Sequence, residues 1–111
     1  MDSEKEFEVT SKLGKTISTT KEYWKIITEI KHTNVKDKQK SVMKTLVNPV
    51  IIKRSVKDKN VCLYYGEISG KLLCAVTKHE NGTGFLVTAY FTDRVKKGEI
   101  IWQKQQNPVS N

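Results

Sequence analysis

Between Val61 and Thr92 the chain carries three runs rich in Val, Leu, Tyr, Phe and Thr: Val61–Gly66, Lys71–Lys78 and Gly84–Thr92. Each has strand length and a β-favouring composition. Glu67–Gly70 and His79–Thr83 separate them. Glycine in each turn reaches a positive φ that other side chains resist, and Asn81–Gly82 is a hairpin signature. The pattern predicts an antiparallel three-stranded meander against which the rest of the chain packs. Side chains alternate along a strand. Phe85, Val87, Ala89 and Phe91 are therefore expected on the core face of the last run. Leu86, Thr88, Tyr90 and Thr92 are expected on the other, with hydroxyls in a row on rigid backbone. The plainest reading of such a row is a solvated sheet face.

The flanking patterns are shorter. Phe7–Thr10 and Thr16–Ser18, around Gly14, suggest a small hairpin or two irregular edge strands, where Lys12 and Lys15 would discourage pairing with other chains. Thr19–Thr20–Lys21–Glu22 reads as a capping box with Thr19 as the N-cap. Tyr23, Trp24, Ile26, Ile27 and Ile30 then recur at helical spacing, and the helix should end near His32. A second helix is expected from Asp37 to Val47, burying Val42, Met43, Leu46 and Val47, and Asn48–Pro49 stops it. Val50–Ser55 reads as a strand, Asp93–Gly98 as a basic turn and Glu99–Trp102 as a short last strand. The polar segment from Gln103 is expected to fray. The expected fold is α+β: two N-terminal helices packed on one face of an antiparallel sheet of four to five main strands. One domain is expected over residues 1–111, with its core at about 6–102 and a polar tail at 103–111.

Composition narrows the classes. A chain of 111 residues supports one hydrophobic core. No apolar run approaches the roughly 20 residues of a membrane helix. The opening Met1–Glu6 is polar, without the apolar stretch of a leader, so a cytoplasmic location and no membrane partner are expected. Cys62 and Cys74 have no metal-ligand spacing and are expected to be buried free thiols in the first two strands of the meander, where the pattern does not set the register that decides whether they meet. The formal net charge is +8. Lys36–Lys59 alone contributes +6, through Lys36, Lys38, Lys40, Lys44, Lys53, Arg54, Lys57 and Lys59 against Asp37 and Asp58. Such a field favours polyanions, and Lys53 and Lys57 join the candidates for binding RNA phosphates. A lysine-rich solvated surface is the plainer alternative.

The chemistry these residues permit is restricted. There is no acidic cluster, no paired-histidine or cysteine metal motif, no phosphate-cradling glycine loop and no nucleophile elbow. No metal and no cofactor are expected. His, Lys, Arg, Tyr and Thr are enough for RNA cleavage by 2′-hydroxyl attack, which needs a proton acceptor, cations on the phosphorane and a proton donor. His32 suits acid or base work, Arg54 and Lys78 suit the phosphate, and Thr88 and Tyr90 suit hydrogen-bond donation. A histidine at a helix end is more often a capping residue, favoured there in its protonated form.

A helix containing Trp24 and ending in His32 is followed by a Lys-rich helix closing in Asn48–Pro49. Ile52-x-x-Ser55, Tyr64–Tyr65, Leu73–Lys78, Val87–Tyr90, Lys97–Gly98–Glu99 and Trp102 come next. This succession resembles the phage-borne branch of the barnase–EndoU–colicin–RelE (BECR) nuclease superfamily, over about Thr16 to Trp102. The resemblance implies helices on an antiparallel sheet, metal-independent endoribonuclease activity, RNA as partner, and an antitoxin or immunity protein as the partner of toxin-type members. By position it implies His32, Lys78, Thr88 and Tyr90 as the catalytic set, with Arg54, Ser55 and Tyr65 beside them, and leaves the general base unassigned. A non-catalytic nucleic-acid-binding module, with Tyr64, Tyr65 and Tyr90 stacking bases, and a protein-interaction domain are the other two readings.

Overall fold

A computed structural model describes residues 4–105. The N-terminal segment forms a true hairpin, β1 (Lys5–Thr10) and β2 (Thr16–Thr20). Thr20 ends β2 and caps α1 (Lys21–Ile26), its Oγ1 accepting from Tyr23 N at 3.1 Å. The N-cap is thus Thr20, one residue later than the capping-box pattern places it. A π-helical turn, Ile27–Lys31, extends α1 and closes with His32 N donating to Ile27 O at 2.7 Å. A 3-10 turn (Thr33–Val35) leads to α2 (Gln39–Val47). The strands β3 (Ile51–Arg54), β4 (Val61–Ile68), β5 (Lys71–Glu80), β6 (Thr83–Thr92) and β7 (Glu99–Gln103) complete the order.

The seven strands form one sheet in the order β1-β2-β6-β5-β4-β3-β7. All neighbours are antiparallel except β2 and β6, which run parallel. The protein is α+β, but two parts of the expected fold are corrected. The helices are not N-terminal, because the β1–β2 hairpin precedes them, and the sheet is wider than four to five strands. β2 is no edge: it bridges β1 to β6, where Ile17 is wholly buried. The last strand continues through Gln103, and Lys104 N still donates to Val50 O, so the expected fraying does not begin at Gln103. The remainder of the expected tail lies outside the described residues.

The β4–β5–β6 meander matches the sequence pattern. Its hairpins turn on Ser69–Gly70 and Asn81–Gly82, all four residues at positive φ, which matches strand twist in a two-residue loop. His79 and Glu80 belong to β5 rather than to the turn. The face assignment in β6 is different from strict alternation. Val76 pairs with Thr88 but Thr77 pairs with Leu86, so Val87 is an extra residue bulged out of the ladder. Upstream of the bulge the faces exchange: Leu86 is fully buried on the core side and Phe85 is 43% exposed. Downstream, Ala89 and Phe91 face the core as expected.

Trp24, Ile27, Val35, Val42 and Leu46 from the helical segment cover one face of the sheet, meeting Ile17, Ile52, Tyr64, Leu73 and Leu86. Trp24 also packs edge-on against Phe7, ring centroids 6.1 Å apart. The first helix offers two overlapping apolar stripes, 23/26/27/30 and 24/27/28. The larger buried area of the indole selects the second, and Ile30 is left 76% exposed. In α2, Thr45 takes the inward position expected of Val47, which is exposed. Thr45 donates to Ser41 O, so its hydroxyl is satisfied in the core.

Among the described residues, no helix covers the opposite face. Leu63, Tyr65 and Cys74 are buried there beside Val50, Ile51, Val76, Tyr90 and Val95. The 93–98 loop arches over this face, and Lys96 N donates to Tyr65 Oη at 3.0 Å. Cys62 and Cys74 are free and buried but lie on opposite faces, so they do not meet across the hairpin.

Candidate functional site

On the helix-free face, the β3–β4 turn, β4, β5, β6 and the 93–98 loop enclose a cleft of about 470 Å³. Leu63, Val61 and Val76 form its floor; Thr88 and Tyr90 form one wall, and Ser55, Lys57, Lys96 and Lys97 stand around it. Three lysines and no carboxylate line the space. The positive potential there is focused by an apolar floor.

The Val87 bulge sits directly before Thr88 and sets which way β6 presents Thr88 and Tyr90. Bulges near functional sites re-aim side chains in this way. Thr88 Oγ1 and Tyr90 Oη are both buried and have no oxygen or nitrogen partner among the described residues; the phenol's neighbour across the ladder is the Cys74 thiol, a weak hydrogen-bonding group. Leaving a buried hydroxyl unpaired costs on the order of 1–3 kcal/mol, so two such groups in one cleft form a pair of donors held ready. Burial raises the Tyr90 phenol well above its ordinary value, with Cys74 and Tyr65 adding to the effect. It therefore stays protonated, a hydrogen-bond donor throughout the neutral range.

The Tyr90 ring links the cleft to the helical segment. His32, at the end of the π turn, lies tilted against it with ring centroids 5.3 Å apart. The Lys96 ammonium stands 5.6 Å from the same ring. Desolvation lowers the His32 pKa below 6.5, and the neighbouring Lys31 charge lowers it further. This reverses the expectation that the helix end favours the imidazolium. The last-turn carbonyls are outweighed by burial against Tyr90 and by Lys31, which is held at the site by Tyr23 Oη (3.1 Å) and Val87 O (3.4 Å). His32 is neutral at neutral pH, a proton acceptor.

The sequence candidates are divided by the sheet. Thr88 and Tyr90 line one cleft with Ser55 and Lys57, Ser55 Oγ accepting from Lys57 N at 3.1 Å, and His32 meets the Tyr90 ring from outside that lining. Tyr65 lies on this face but is wholly buried beneath the loop, its phenol pushed up to about 12 by burial. Lys53 is opposite Leu63 and so on the cleft's side of the sheet, outside its lining. Lys78 pairs with Asp58 at 3.3 Å and is outside the lining. Arg54 is opposite Cys62, on the helix-covered face, 3.3 Å from Glu99, and cannot share a phosphate with Thr88. Lys96 and Lys97 were not among the sequence candidates. Their signal is the basic turn directly after the strand that carries Tyr90.

No family model, curated protein or solved structure matches this chain. The site therefore rests on its own geometry. Among the described residues, no three of His, Cys, Asp or Glu gather to hold a metal ion, and no helix is long and apolar enough to cross a membrane.

Proposed function

We propose that the protein is a metal-independent endoribonuclease of toxin type, related to the BECR nucleases that its sequence resembles. One observation carries this reading. Two buried, unpartnered hydroxyls, Thr88 and Tyr90, stand in a lysine-lined cleft beside a histidine held neutral.

In this mechanism Lys57, Lys96 and Lys97 draw the RNA backbone into the cleft by displacing its counterions. His32 takes the proton of a 2′-hydroxyl, whose oxygen attacks the adjacent phosphorus. Thr88 and Tyr90 donate hydrogen bonds to the non-bridging oxygens of the phosphorane, where the developing charge is greatest. The 5′-oxygen leaves, taking a proton from the imidazolium or from water, and the other fragment ends in a 2′,3′-cyclic phosphate. A partner that silences the enzyme would present acidic side chains to the same three lysines.

A second reading has one observation in its favour. With Arg54 on the far face and Lys78 paired to Asp58, the cleft holds fewer groups for catalysis than the sequence promised. A module that only binds RNA, stacking a base near Tyr90, would need no more. Purified protein incubated with labelled structured RNA in excess EDTA separates the two. An enzyme yields cyclic-phosphate ends, whereas a binder gives salt-sensitive retention and intact RNA.

A further inference from the structure

A second cavity, of about 380 Å³, opens on the other side of the sheet. It lies between the β1–β2 turn and the β3–β4 turn, lined by Lys15, Arg54, Lys59, Asn60, Cys62 and His79, with Leu13 and Ile101 as apolar neighbours. The register places it behind the RNA cleft: Cys62 lies opposite Thr77 and Arg54, whereas the cleft's Leu63 lies opposite Val76. The reading above makes no use of it.

Three observations give it the character of a built site. First, Lys15, Arg54 and Lys59 converge from separate segments of the chain, and no carboxylate is among the lining residues. Second, Arg54 Nε is buried and makes no hydrogen bond, although its charge is paired with Glu99 at 3.3 Å and its Nη1 reaches Lys59 O at 3.5 Å. Glu99 is exposed, so an entering anion can complete the hydrogen bond that this surface pair leaves unmade. Third, the back wall is rigid. His79 stacks on Tyr64, centroids 6.3 Å apart and planes 18° apart, and its Nε2 lies 2.8 Å from Thr77 Oγ1, which donates to Cys62 O. Burial lowers the His79 pKa and the nearby Lys15 lowers it further, while Arg54 and Lys15 oppose the rise that burial imposes on Cys62.

We infer that this cavity binds a small phosphate-bearing ligand of nucleotide size, the phosphates on Lys15, Arg54 and Lys59 and the nucleoside against Leu13, Ile101 and the His79 wall. The inference stands independently of the RNA cleft, because it uses none of the same side chains.

The test is an amide-resolved NMR titration of the whole protein with ADP, and separately with adenosine. Saturable shifts at Lys15, Lys59, Asn60, Cys62 and His79, without comparable shifts from adenosine, are expected. Lys15→Glu and Lys59→Glu change exposed or partly exposed side chains and should each weaken ADP at least about tenfold. Lys71→Glu, at the opposite end of the β4–β5 hairpin, controls for net charge and should leave ADP binding unchanged. Absence of saturation at millimolar ADP, shifts confined to Thr88 and its neighbours, or equal weakening by all three variants would overturn the inference. RNA cleavage measured on the same samples reports on the other face separately.

Discussion

Thr88 and Tyr90 are worth more to chemistry than to stability. Their hydroxyls are buried without partners, so replacing them by groups of the same shape removes a desolvation cost. Thr88→Val and Tyr90→Phe should leave urea midpoints unchanged or raise stability by up to about 1 kcal/mol, while RNA turnover falls by roughly a hundredfold or more. A loss of activity accompanied by an equal loss of stability would assign them to packing. The two histidines set the pH behaviour. Burial lowers both His32 and His79, so the unfolded chain binds protons first as the pH falls. Their contribution is whole above about pH 6.5 and is lost as the pH drops through the lower folded values. Denaturant midpoints should decline from pH 7 to pH 5, and histidine ring titrations by NMR should centre below 6.5; midpoints above that value would contradict the site geometry. At this scale the sequence grouped His32, Thr88 and Tyr90, and the fold sets His32 on the Tyr90 ring and Thr88 in the same cleft as Tyr90. It misplaced Arg54, because which face a strand residue takes depends on register that spacing alone does not reveal. It left Lys78 free, because its partner Asp58 comes from a loop.

Among the elements, the β4–β6 meander was legible from local signals: run length, β-branched content and glycine turns. What was not legible is the single extra residue at Val87. A bulge has no signature in alternation except its failure, and Phe85 and Leu86 satisfy either phase equally well. The first helix likewise offered two apolar stripes, and burial of the Trp24 indole against the sheet and Phe7 decides between them, which spacing does not show. The bulge yields a direct prediction. Deleting Val87 restores a regular ladder, with Leu86 still opposite Thr77 and Thr88 still opposite Val76, so the protein should fold. It removes the carbonyl that receives Lys31 and the bend that aims Thr88, so RNA turnover should be lost while the circular dichroism spectrum is retained. Gly66 tests the helix–sheet contact instead. A Cβ there would stand 2.4 Å from Thr45 Oγ1, so Gly66→Ala should cost about 1–3 kcal/mol by wedging α2 from β4, read as a lower urea midpoint.

The whole molecule is a sheet with two unlike faces. Helices bury one face, and the other holds a lysine-rimmed cleft under a single loop. The charge excess favours a polyanion, and by itself says nothing of where one would bind. The densest basic stretch, Lys36–Lys59, is divided between the segment before α2, α2 itself, β3 and the β3–β4 turn, and of its basic residues only Lys57 lines the cleft, together with Ser55 and Val56. Lys96 and Lys97 complete the rim. RNA affinity should therefore fall steeply with salt, and replacing any one of these three lysines should reduce the log–log salt slope by about one. Lys44, exposed on α2 across the sheet, should leave the slope unchanged. The most direct measurement is cleavage of end-labelled structured RNA in excess EDTA by the wild-type protein, His32→Ala and Thr88→Val side by side. The account predicts 2′,3′-cyclic phosphate ends from the wild type and loss of cleavage in both variants with RNA affinity retained. Undiminished cleavage in either variant, or intact RNA with the wild type under conditions where it binds, would contradict it.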